Sequence, residues 1–197
     1  MTYLLDKPND QRSIHKGITW KHFKLIEAGF SESPGVKLFY YKGELEIVTV
    51  SPEHEIFGRV IGMLIQTFFL ELDVEFTPTG SMTQERTGEA SAQADESYCI
   101  GDLKSIPDLS IEIIFTSGSI QKLTRYQALQ VPEVWFWEDG LFSLYHLRTN
   151  GYERIYQSEL PHLKVLDLGL FTQCVLKSQT SRVEAVKLLK QGMRRRN

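Results

Sequence analysis

Between Ser51 and Leu72 the apolar residues Phe57, Val60, Ile61, Leu64, Phe68 and Leu72 recur at helical spacing, so SPEHEIFGRVIGMLIQTFFLEL predicts one long amphipathic helix. Ser51 can accept a free backbone N–H at its start, and Pro52 needs no donor at the first helical position. ITWKHFKLIEAGF predicts a shorter helix beginning near Ile18 and stopping around Gly29. Between the two, VKLFYYKG and ELEIVTV predict strands joined by a tight turn at Lys42-Gly43.

From Val74 to about Ile114 the pattern becomes β-like, with VEFTPTGSMT, SAQADESYCI and DLSIEII as three strands. The Gly- and Asp-containing segment 101–108 connects the last two, and a helix from about Ser119 to Leu129 follows. VPEVWFWEDGLFSLYHLRTNGYERIYQ predicts three strands reversing at Asp139-Gly140 and Asn150-Gly151. A short helix near Leu168–Val175 and a C-terminal helix from Ser181 into Arg194–Arg196 complete the chain. No internal repeat or low-complexity linker interrupts this order, which predicts an α/β (mixed α+β) domain. We expect an N-terminal extension over 1–17, a single domain over 18–177, and a C-terminal helix and basic tail over 178–197.

Composition narrows the function classes. A chain of 197 residues, 42% hydrophobic and 24% charged, suits one globular domain with a substantial core. The net charge of −3 means that any phosphate-binding surface is a local basic patch. Cys99 and Cys174 are too few for a disulfide framework or a zinc cluster, and are expected as apolar fillers in a reducing interior. MTYLLDKPNDQRS lacks the apolar run of a signal peptide. No unbroken apolar run approaches the ~20 residues that span a membrane, since IFGRVIGMLIQTFFLEL is interrupted by Arg59 and Gln66. A soluble cytoplasmic protein is expected.

The candidate chemistry centres on PDLSIEIIFTSGSIQKLTRY, where Glu112 stands inside an apolar strand. A buried carboxylate is costly unless paired, bonded or coordinating a cation. Asp108, Ser110 and Glu112 share one strand face, but four residues span ~13 Å, too far for Asp108 and Glu112 to hold one ion. Asp108 is therefore expected at a strand start or turn. A neighbouring strand lies ~4.8 Å away, and SAQADESYCI offers Asp95 or Glu96, which point to opposite faces if that strand is regular. Spacing alone does not choose between them. Lys122 follows through the turn TSGS, with Tyr126 on the same helix face. Two acids and a lysine suit metal-assisted phosphodiester hydrolysis; a structural ion pair is the bland alternative. His54 and Glu55 fall in a helix first turn, where Glu55 complements the macrodipole and His54 is expected to contact water or phosphate. Arg59 and Arg125 are candidate phosphate contacts. VWFW at 134–137 is expected as a buried strand, and MRRRN as a solvated end.

The string ADESYCIGDLKSIPDLSIEIIFTSGSIQKLTRYQALQVPEVWFWEDGLFSLYHL resembles the Uma2-like (DUF820) family, assigned as endonucleases of the PD-(D/E)XK, restriction-endonuclease-like superfamily. The likeness runs from about Ile18 to about Thr172 and is densest between Ala94 and Leu147. It implies a central mixed β-sheet flanked by helices, with Asp95 as first metal-binding acid, Glu112 as second, Lys122 as the lysine and His54 as a histidine common at the start of the long helix. It also implies Mg²⁺ or Mn²⁺ as cofactor, DNA as substrate and, by analogy, a homodimer. Two departures stand out. Glu112 is followed by Ile113 and Ile114, so the usual E-x-K triplet is missing and the lysine is relocated to the next helix. Gln121 stands where related sequences often carry Asp. Gln121 and the acidic net charge motivate the alternative, a catalytically inactive nuclease fold that binds nucleic acid or protein.

Overall fold

The computed structural model describes residues 10–115 and 119–195, the side chains of 119–121 excepted. The order along the chain begins β1 (Gln11–Lys16), α1 (Trp20–Gly29), β2 (Val36–Tyr41), β3 (Glu44–Thr49) and α2 (Pro52–Glu71). Strands β4 (Phe76–Pro78), β5 (Thr83–Arg86), β6 (Ala90–Gln93), β7 (Glu96–Ile100) and β8 (Leu109–Ile114) follow. Then come α3 (Ser119–Leu129), β9 (Glu133–Glu138), β10 (Leu141–Arg148), β11 (Gly151–Ile155), α4 (Leu168–Ser178) and α5 (Arg182–Arg194).

The strands form two sheets. One is five-stranded and antiparallel in the order β1-β3-β2-β6-β5; the other is six-stranded in the order β11-β10-β9-β8-β7-β4. The second sheet is mixed because β8 and β9 run parallel, with α3 as the crossover. Strand β1, inside the segment read as an extension, forms one edge of the five-stranded sheet by pairing with β3. The β2–β3 turn places Lys42 and Gly43 at φ 45° and 89°, and the β9–β10 turn places Asp139 and Gly140 at 51° and 77°, as two-residue hairpins require.

One expectation needs correction. SAQADESYCI is not one strand, and the 74–114 region holds five strands instead of three. The chain leaves the first sheet after Gln93 and enters the second at Glu96. At the crossing, the Asp95 N–H donates to Ile111 O at 3.0 Å.

Helix α2 begins as the sequence predicts: the Ser51 side chain accepts from the His54 N–H, and Pro52 takes the first position. Val60, Ile61, Leu64 and Phe68 are buried, Phe57 and Leu72 lie at the rim, and Ile65 and Phe69 join the core. Each such side chain contributes about 1.5–3 kcal/mol by burial, enough to offset the ~1 kcal/mol that a mid-helix glycine costs. Gly62 leaves room for Glu96, since a Cβ there would stand 2.8 Å from the Glu96 carboxyl carbon and that side chain would have to shift.

Strand β8 is buried along its whole length and alternates between two cores. Leu109, Ile111 and Ile113 pack with α2, α4, α5, Trp135 and Trp137. Ile114 packs with Val134, Phe136, the α3 residues Leu123 and Tyr126, and Phe39, Ala90 and Ala92 of the first sheet. By the same alternation Glu112 faces this second core, between the two sheets.

Candidate active site

Glu112 is 1% exposed. Its Oε2 accepts from Lys122 Nζ at 2.6 Å, and its Oε1 accepts from the Tyr126 hydroxyl. Lys122 thus reaches the carboxylate from the first half of α3, and Tyr126, one turn on, reaches the same group. Residues 116–118 of the TSGS turn, and the Gln121 side chain, lie outside the described residues. Burial, with Glu112 beside it, holds the Tyr126 hydroxyl far above the ordinary tyrosine pKa, so it stays a donor.

Asp95 sits at the bend between the sheets. Its Oδ2 accepts the Ile113 N–H at 2.6 Å, one residue beyond Glu112. Its Oδ1 meets two cations: Lys37 Nζ of β2, and His54 Nε2 of α2 at 2.8 Å. Burial disfavours the Asp95 carboxylate, but Lys37 and His54 outweigh it and hold its pKa well below the carboxylate range. Burial likewise works against the Lys37 ammonium, yet Asp95 and, more weakly, Glu112 raise its pKa above the usual lysine value. Both groups are therefore charged.

The bend also separates Asp95 from Glu96. Glu96 turns to the α2 side, where it rests on Gly62 and accepts from the Tyr98 hydroxyl at 3.1 Å. Burial raises its pKa, partly offset by that hydroxyl. Asp95 alone of the two joins the face of Glu112.

His54 is 4% exposed and lies between two carboxylates, with Nδ1 2.7 Å from Asp10 Oδ2. Burial opposes its charge, but Asp10 and Asp95 together raise its pKa to about 9, so the ring is an imidazolium at neutral pH. Its charged neighbours among the described residues are Asp10 and Asp95. Arg125 departs from expectation: it is 7% exposed, donates to Glu46 and lies 4.5 Å over the Phe39 ring, so it braces α3 against β2 and β3. Arg12 of β1 donates to the same Glu46. Asp108 is a turn residue as expected, accepting from Ile100 N–H and Lys104.

Asp95 also lines a cavity of about 40 Å³ walled by Lys37, His54, Glu55, Arg59, Ser81 and Glu96. That is room for an ion or a water or two, not for a nucleotide. Arg59 is exposed at this cavity and also lines the open groove beside it, with Ser81 and Glu96. Among the described residues no group of three or more His, Cys, Asp and Glu is arranged to hold a metal.

The Uma2 family model, described as "putative restriction endonuclease", matches residues 20–175. The chain belongs to the Uma2 family. Its fold agrees: this Uma2 chain is similar to a crystal structure of a "putative nuclease belonging to DUF820" from Anabaena variabilis, at 14% identity and a TM-score of 0.55. The likeness covers 80% of this chain and 99% of that one. No match was found among curated proteins. No helix in the described part of this Uma2 protein is long and apolar enough to cross a membrane.

Three functional candidates escaped the sequence reading: Lys37, Asp10 and Glu46. Lys37 in VKLFYY and Glu46 in ELEIVT carry the signal that exposed Glu112, a charge inside an apolar strand. Asp10 carries no local signal, since its contact with His54 spans 44 residues.

Proposed function

We propose that this Uma2 chain hydrolyses DNA phosphodiester bonds at a site built from Asp95 and Glu112, with Lys122 and Lys37 supplying positive charge. The observation that supports it is that two buried carboxylates, Asp95 at the bend between the sheets and Glu112 on β8, are each paired with a lysine, Lys37 from β2 and Lys122 from α3. A structural brace needs one acid and one base; burying two of each, with Asp95 and Lys37 lining a polar cavity, is costly unless the charges have work to do.

A divalent ion is implied by the restriction-endonuclease relationship, and the donors suit one. Carboxylate oxygens are hard ligands for Mg²⁺ or Mn²⁺, and Mg²⁺ commonly takes one or two carboxylates and keeps its waters. A third protein ligand is therefore not required. Bound to Asp95 and Glu112, the ion would supply Lewis acidity toward the phosphate and a lowered pKa for its water. The chain's own groups do the rest. Ile113 N–H and His54 fix Asp95, and Tyr126 fixes Glu112. Lys122 holds an ammonium at Glu112 that can turn to a phosphate oxygen and neutralise the charge growing in the transition state; Lys37 offers the same from the Asp95 side. Arg59, exposed at the cavity, provides the phosphate contact that positions the strand.

The test is cleavage of single-stranded and duplex DNA with Mg²⁺ or Mn²⁺. Glu112→Gln and Lys122→Ala each abolish cleavage in a folded protein; undiminished cleavage by both sinks the assignment. One observation favours a second reading, an inactive nucleic-acid-binding module: each oxygen of Asp95 and Glu112 already faces a protein donor or cation. Calorimetry with millimolar Mn²⁺ separates the two, since the module binds DNA without taking up the ion.

A further inference from the structure

We infer that Asp10 is a positioning residue of this site, acting through His54 to set the Asp95 carboxylate. Asp10 precedes β1 and lies outside the 20–175 segment that matches the family. Its Oδ1 accepts the Ser51 N–H at 2.8 Å, which ties it to the start of α2. Its Oδ2 is 2.7 Å from His54 Nδ1, and both side chains are only 5% exposed, so water does not compete for the contact.

The two sides of the imidazole differ in a way that decides which partner controls it. The Nδ1 contact with Asp10 is a hydrogen bond. Nε2 stands 2.8 Å from Asp95 Oδ1 but off the hydrogen-bonding line, so it attracts the carboxylate without being oriented by it. The ring's single directional bond therefore comes from Asp10. Phe115 closes on the ring at 5.6 Å, edge to face, and limits its tilt. An outer carboxylate that orients a histidine, which in turn holds a first carboxylate, is the kind of support whose loss costs about 10–100-fold in metal affinity.

This inference rests on Asp95 being an ion-holding acid, and the experiment separates the two claims. Asp10→Ala, His54→Gln and the double variant are compared by the ¹³C carboxyl resonance of Asp95 in metal-free protein and by Mn²⁺ affinity in calorimetry. The Asp95 resonance is assigned with Asp95→Asn. Asp10→Ala is expected to move the Asp95 signal as His54→Gln does, to weaken Mn²⁺ binding by about 10–100-fold, and to add nothing in the His54→Gln background. A purely structural role for Asp10 would give additive losses. An unmoved Asp95 signal in folded Asp10→Ala, or additivity in the double variant, overturns the inference. Should Asp10→Ala fail to fold, Asp10→Asn, which keeps one acceptor, is read in the same way. If the unsubstituted protein takes up no Mn²⁺, the metal reading fails while the Asp95 resonance still decides the role of Asp10.

Discussion

Replacing Lys122 by Met removes a cation while keeping an unbranched side chain against the Phe39 ring, over which Nζ lies at 5.4 Å. At 2.6 Å from Glu112 Oε2, and with an effective dielectric of about 20, the pair's Coulomb energy is about 6 kcal/mol before desolvation is counted. Desolvation takes back much of that, but removing only one partner strands a carboxylate that is 1% exposed. Losses of about 3–5 kcal/mol follow such a change. The Tyr126 hydroxyl still serves Oε1, so the lower end is expected, about 3 kcal/mol. In urea, with a slope of about 2–3 kcal/mol/M, the unfolding midpoint of Lys122→Met should fall by about 1 M. The double variant Glu112→Gln/Lys122→Met should recover most of it, because both charges are gone. Mn²⁺ at about a hundred times its Kd should restore about 2.7 kcal/mol to Lys122→Met, the ion replacing the lost ammonium, and nothing to the double variant if Glu112 is needed for binding. A midpoint within about 0.3 M of the parent, or a double variant weaker than the single, would refute the reasoning.

The remaining predictions concern pH in metal-free protein. The folded-state pKa of His54 is raised from 6.5 to about 9, so its contribution is complete below about pH 6.5 and lost as pH rises through about 9. Unfolding free energies from urea titrations should decline across that window by up to about 3 kcal/mol, and a His54→Gln protein should lack the decline. Asp10, Glu46 and Asp95 have folded-state pKa values below their ordinary values of 3.8, 4.5 and 3.8, so their contribution holds above those values and is lost as pH falls through the depressed ones. Acid titration should show stability falling below about pH 4, and Lys37→Met should shrink that fall by releasing Asp95. A flat profile from pH 5 to 9 would contradict the assigned His54 partners.

How much of this was legible depends on the range of the contacts. The long helix announced itself through its apolar stripe, its Ser51 cap and Pro52, and the hairpins through Lys42-Gly43 and Asp139-Gly140, because these signals are local. Glu112 was legible because a charge within SIEII conflicts with its surroundings. The choice between Asp95 and Glu96 was not legible from alternation, which assumes a continuous strand. The break at Ala94-Asp95 depends on two sheets competing for the same segment, and no residue within it declares that outcome. Lys37 could have been found by the argument applied to Glu112. Asp10 could not, since only the folded chain brings it to the start of α2. Arg125 misled for a related reason: a helix arginine reads as solvent-facing until its partner Glu46, 79 residues away, is in place.

The most direct test of the central claim is a crystal of this protein soaked in Mn²⁺ and measured at the manganese absorption edge. The account predicts an anomalous peak about 2.2 Å from oxygens of both Asp95 and Glu112, with Lys122 and Lys37 turned away from those oxygens to make room. A peak bound elsewhere, or none while both lysines keep their carboxylate contacts, would contradict it.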